Sequence, residues 1–139
     1  MATETIKIFC DGGSRGNPGP AAAGVVFLST DDEVLAVFNE YLGVQTNNYA
    51  EYSAVLLALK NVAQYRDHKL EFHLDSQLVE RQLNGVYKVK NANIKPLYQQ
   101  IQAQIPDLNI SFTHVYREDN KLADEQVNIC LDNQAAIDK

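Results

Sequence analysis

The chain of 139 residues has no tryptophan, a single methionine, only two cysteines, and no apolar run long enough to span a bilayer. Two cysteines cannot build a disulfide framework. Cys10 falls in an apolar strand pattern and Cys130 in a helical one, so two buried thiols are expected, with a single bridge as the alternative. The first residues, MATETIKIF, lack the basic segment and the long apolar core of a secretory signal, so the cytoplasm is the expected compartment. No repeat, low-complexity tract or linker interrupts the chain, and its length suits one domain over residues 1–139. Basic residues are scarce as well: 12 Lys and Arg face 18 Asp and Glu, for a net charge of −6. Phosphate binding usually requires a basic surface. The total therefore argues against a nucleic-acid partner, unless some acids are gathered at one site and neutralised there by cations.

What is present is a clear alternation of strands and helices. Residues 5–11, TIKIFCD, place Ile6, Ile8 and Cys10 on one face and Lys7, Phe9 and Asp11 on the other, a strand that ends on Asp11. Residues 22–29 and 33–42 flank the turn signal TDD, and the three segments predict an antiparallel meander. After TNN (46–48) the spacing of Tyr52, Val55, Leu56, Leu59, Val62 and Ala63 predicts a helix running on to Tyr65, its N-cap drawn from the asparagines. Residues 69–75 form a second strand ending on an aspartate, Asp75. SQLVERQLNG follows as a short helix capped by Ser76 and stopped near Gly85. A polar connection leads to a helix over 94–104 with Pro96 in its first turn, a strand over 109–116, a tight REDN loop and a closing helix. The order β-β-β-α-β-α-α-β-α is that of an α/β domain with a mixed sheet, antiparallel early and parallel where helices cross over.

Four acids point at one place. In open α/β sheets ligands bind beyond the carboxyl ends of strands, where Asp11 and Asp75 stand. Glu51 lies four residues before Val55 and eight before Leu59, on the core stripe of its helix rather than the solvent face. Asp124, three before Val127 and seven before Leu131, repeats the anomaly. Taken singly, each has a plainer explanation: turn residue, cap, or charge at a helix dipole. Together they would repel and be driven towards protonation unless divalent cations sat among them. Oxygen-only ligands suit Mg²⁺ or Mn²⁺, and no Cys/His cluster points to zinc. Two such ions about 4 Å apart clamp a phosphodiester. Five of the seven glycines lie between Gly12 and Gly24. On this reading they, Gly12 first, let a nucleic-acid backbone approach the main chain. Their spacing is neither G-x-G-x-x-G nor a P-loop.

Four segments in order, DGGSRGNPGPAAAG, TNNYAEYSAVLLAL, LDSQLVERQLNG and REDNKLADEQVN, resemble the signatures of type 1 ribonuclease H, and the resemblance covers nearly the whole chain. It implies the ribonuclease H-like fold, a mixed five-stranded sheet with helices on both faces. It further implies hydrolysis of the RNA strand of RNA–DNA hybrids, with 5′-phosphate and 3′-hydroxyl ends and two Mg²⁺ or Mn²⁺ ions. Asp11, Glu51 and Asp75 would be metal ligands, with Asp124 completing the set at the second ion. The same carry-over gives minor-groove contacts to Asn17, Asn48 and Gln77, and a DNA phosphate to Thr46 and Asn47. Neutral amides suit base edges and the 2′-hydroxyl; their plainer roles are capping and solvation.

Two departures stand out. The strand carrying His114 passes directly into VYREDN, with no room for the mobile histidine loop of many members; Arg117, Glu118 and Asn120 are the candidates to assist there. Nor is there a long basic insertion after the second helix. Lys88 and Lys90 are then the expected steering cations, which implies weaker hybrid binding. The rival readings are a related metal-dependent nuclease acting on double-stranded RNA or DNA junctions, and a non-catalytic nucleic-acid-binding module. No obligate protein partner is evident, and a monomer is expected.

Overall fold

A computed structural model describes residues 4–138. Five strands form one sheet: β1 (Thr5–Ser14), β2 (Gly19–Leu28), β3 (Val34–Gln45), β4 (Lys69–Leu74) and β5 (Asn109–His114). Their spatial order is β3-β2-β1-β4-β5. The hairpins β1–β2 and β2–β3 are antiparallel, while β1–β4 and β4–β5 are parallel, as their helical crossovers require. The helices are α1 (Asn47–Leu59), α2 (Gln77–Leu83), α3 (Lys95–Gln104) and α4 (Lys121–Ile137), the mixed order expected from the pattern.

Alternate residues of β2 feed two cores, which shows that both faces of the sheet are covered. Ala23, Val25 and Phe27 join Ile6, Ile8 and Cys10 of β1 in the main core, under α1, with α3 packed against α1. Ala22 joins Val127, Cys130 and Leu131 of α4 in a second, smaller cluster. Every residue from Ala21 to Leu28 is consequently buried, apolar side chains on both faces being the mark of a strand clamped between layers. Both cysteines are buried and free, as their strand and helix patterns led one to expect.

Several boundaries differ from the sequence expectation, each for a local reason. Strand β1 does not stop at Asp11 but runs to Ser14, because the hairpin with β2 continues to pair through Ser14↔Ala21. Helix α1 ends at Leu59 rather than Tyr65. Asn61 Nδ2 donates to the Leu57 carbonyl at 2.9 Å, and Ala63–Tyr65 form a separate 3₁₀ turn. The N-cap of α1 is Thr46, whose Oγ1 accepts from Tyr49 N at 3.2 Å, not one of the asparagines. Strand β5 ends at His114, and the expected REDN loop is a 3₁₀ turn over Arg117–Asp119. Ser76 does cap α2, and Gly85 follows its end with φ 78°. Among the described residues no helix is long and apolar enough to cross a membrane.

Candidate active site

The site lies where the pairing of β1 changes. Parallel register with β4 ends at Cys10↔Leu74, while the antiparallel register with β2 continues beyond it. Asp11 and Asp75 are the next residues along two parallel neighbours, so their carboxylates leave the sheet side by side.

The two helices deliver the other acids because glycines let them come close. A Cβ on Gly12 would lie 2.1 Å from the Ala50 carbonyl carbon and 2.3 Å from Glu51 N, so α1 rests directly on the β1 backbone and Glu51 is set beside Asp11. This corrects the expectation that Gly12 lacks a side chain to admit a ligand: the space is filled by the protein's own helix. On the other face, a Cβ on Gly24 would lie 2.5 Å from the Ala123 carbonyl oxygen, so α4 sits as closely on β2. Asp124, in the first turn of α4, then lines the same cleft and stands near enough to Asp11 to raise its carboxyl, outside the trio formed by Asp11, Glu51 and Asp75.

One oxygen each from Asp11, Glu51 and Asp75 lie within 4.8 Å of one another. Asp11 is 7% exposed, and Glu51, Asp75 and Asp124 are partly buried. Burial and the neighbouring Asp75 and Asp124 raise the Asp11 carboxyl from its ordinary 3.8 to about 8. Burial, Asp11 and Asp75 raise Glu51 as well. The nearby Gly12 N–H offsets part of the rise at both carboxyls. Among the described residues, none of the ion pairs formed by Lys, Arg or His involves any of the four acids. Crowded carboxylates without a protein cation are a group that could hold a divalent ion, and an all-oxygen donor set fits a hard one.

An open cleft of about 540 Å³ surrounds this group. Among the other residues expected to act, Gly12, Asn47, Asn48 and Arg117 line it. Asn17 is at its rim, where its Oδ1 accepts from Asn47 N at 3.1 Å, while Asn47 Oδ1 accepts from Ser14 N at 2.9 Å. The two amides thus tie the glycine-rich loop to the start of α1. Thr46 is occupied as the cap. Gln77, Lys88, Lys90 and Glu118 are exposed outside the lining, and Asn120 is buried at 1% exposure. Arg15 and Asn128 line the cleft although sequence reasoning did not single them out. Asn128 Nδ2 donates to the Asp124 carbonyl at 3.2 Å, and Arg15 pairs with Asp132 at 2.6 Å. The signal for Asn128 was its four-residue spacing from Asp124.

The chain matches the family described as "Reverse transcriptase-like" over residues 9–130. It is 37% identical over 129 residues to "Ribonuclease HI" of Halobacterium salinarum, covering 92% of this chain and 65% of that protein. It is also 37% identical over 132 residues to "Bifunctional protein Rv2228c" of Mycobacterium tuberculosis, covering 94% of this chain but 36% of that protein. Among solved structures, that of LC11-RNase H1 in complex with RNA/DNA hybrid superposes with a TM-score of 0.89 at 38% identity, covering 94% of this chain and 99% of that one. The chain belongs to the type 1 ribonuclease H family. It spans 65% and 36% of the lengths of the two curated relatives. In this ribonuclease H the last strand ends at His114, a half-buried ring packed edge-on to Tyr116 at 5.6 Å, rather than on a mobile loop.

Proposed function

We propose that this chain hydrolyses the RNA strand of RNA–DNA hybrids, leaving 5′-phosphate and 3′-hydroxyl ends, with Mg²⁺ or Mn²⁺ as cofactor. The observation that carries the reading is the convergence of Asp11, Glu51 and Asp75 oxygens within 4.8 Å, with Asp124 against Asp11, in a chain of this family. Asp11, Glu51 and Asp75 would hold one ion, and Asp11 with Asp124 the other. Bound divalent ions lower the pKa of water and neutralise charge building on the phosphate. The protein's own contribution is rigidity: Asp11 lies within β1, Asp75 directly follows β4, and Glu51 and Asp124 lie near the starts of helices packed on sheet backbone, so little reorganisation accompanies the reaction.

Selectivity comes from the rim. Asn17 and Asn47 spend their carbonyl oxygens on backbone N–H groups, which leaves their NH₂ ends as donors towards the hybrid. Asn17, Asn48 and Gln77 would read the minor groove and the 2′-hydroxyl; Thr46 and Asn47 would meet a DNA phosphate. Arg15 and Arg117 are the two cations lining the cleft, placed to offset phosphate charge brought near four acids.

The test offers RNA–DNA hybrid, duplex RNA and duplex DNA side by side, with each metal and with EDTA. Cleavage of the RNA in the hybrid alone, stopped by chelation and restored by Mg²⁺ or Mn²⁺, is expected. Preferred cutting of duplex RNA would replace the substrate assignment, and activity surviving full chelation would remove the metal.

A further inference from the structure

Asn120 stands at the N-cap of α4, yet its side chain makes no capping bond to the helix. An asparagine there ordinarily accepts from a backbone N–H one turn on. Here the side chain turns inward instead. Its Nδ2 donates to the Cys10 carbonyl at 2.9 Å and to Asp75 Oδ2 at 3.1 Å. Both neighbours are acceptors, which fixes the NH₂ end towards them. Its Oδ1 is buried without a partner. Its main-chain carbonyl accepts from Asp124 N at 3.1 Å. One residue, 1% exposed, therefore touches the peptide preceding Asp11, the carboxylate of Asp75 and the amide of Asp124.

A residue that forfeits its cap and leaves an acceptor orphaned breaks local rules in favour of something else; such breaks collect at functional sites. We propose that Asn120 is a positioning residue: its amide fixes the rotamer of Asp75 and clamps β1 at Cys10 to the end of β4, so that Asp11 and Asp75 are held at cation-binding distance before any cation arrives. It does not touch substrate, since it is buried beneath the acids. The inference rests on the reading of the four acids as a cation site.

The test compares the parent with Asn120→Ala. Mn²⁺ binding is measured by calorimetry without nucleic acid, and kcat and KM are measured on a hybrid. The expected result is a folded variant whose Mn²⁺ affinity falls about tenfold or more, the usual consequence of losing a group that orients a ligand. Its kcat should fall comparably while KM for the hybrid stays within about threefold, because the residue meets no nucleic acid. A folded variant that binds Mn²⁺ within about twofold of the parent overturns the proposal even if its melting temperature drops, since a purely structural role predicts that pattern. A parent that binds no Mn²⁺ overturns the cation site itself, a different result. Should Asn120→Ala fail to fold, the parent decides by NMR: the Asn120 side-chain amide protons should exchange slowly and shift as Mg²⁺ fills the site. Fast exchange with no shift would refute the clamp.

Discussion

Asp11 carries the largest consequence of any single side chain. Its carboxyl titrates at about 8 instead of 3.8, so the folded, cation-free protein holds that proton more tightly than the unfolded chain. Between those values the native state binds more protons, and stability falls as pH rises through the window from about 4 to about 8. Glu51, raised for the same reasons, acts in the same sense. Each pKa unit corresponds to about 1.4 kcal/mol, so on the order of several kcal/mol is lost by pH 8.5. Asp11→Asn removes the charge while keeping the shape. Thermal unfolding in EDTA at pH 8.5 should show the variant more stable than the parent, by about 5 °C or more. Near pH 4 the two should converge. The same variant should lose hybrid cleavage, because an amide is a poor ligand for a hard cation. Equal melting temperatures at pH 8.5 would show that Asp11 is not crowded in solution, and cleavage at the parent rate would remove it from the chemistry.

At the level of elements, the site depends on two helices lying almost in contact with sheet backbone. Gly12→Ala would drive a methyl to within 2.1 Å of α1 main chain, which a rigid backbone cannot absorb. A loss of about 3 kcal/mol or more is expected, at or beyond the upper range for overpacking. Gly13→Ala is the control, since its nearest contact would be Val127 Cγ1 at an ordinary 3.4 Å. Denaturant unfolding of both variants checks this, and equal stabilities would mean that α1 sits further out. The order of elements, the mixed sheet and the convergence of acids were all legible beforehand. Glu51 and Asp124 betrayed themselves by occupying core stripes of their helices, and Asp11 and Asp75 by standing next to each other on strands that crossovers make parallel. What escaped were effects decided by partners far away in sequence. Asn120 meets Cys10 across 110 residues, and Gly12 owes its identity to Ala50. The end of β1 was misplaced because its alternation says nothing of how far β2 will accompany it. The cap of α1 was misread because threonine and asparagine are near equals at that position.

For the molecule as a whole, the charge of −6 is the governing constraint on binding the polyanionic substrate proposed above. Arg15 and Arg117 in the cleft, with Lys88 and Lys90 exposed outside it, are few cations with which to displace counterions. Hybrid binding should depend on salt with a log–log slope of roughly −3 to −4, at about −0.9 per phosphate neutralised. Replacing both Lys88 and Lys90 with alanine should flatten that slope by about 2 and raise KM more than it lowers kcat. An unaltered slope would show that the 86–93 connection does not face the hybrid. The chain order of the acids adds a constraint in time. Asp11, Glu51 and Asp75 belong to the first 75 residues, while Asp124 and the Asn120 amide arrive with α4, the last helix. On the proposed function, a growing polypeptide still threaded through the ribosome is an unarmed nuclease, and the power to cut a hybrid comes only once synthesis has passed that helix.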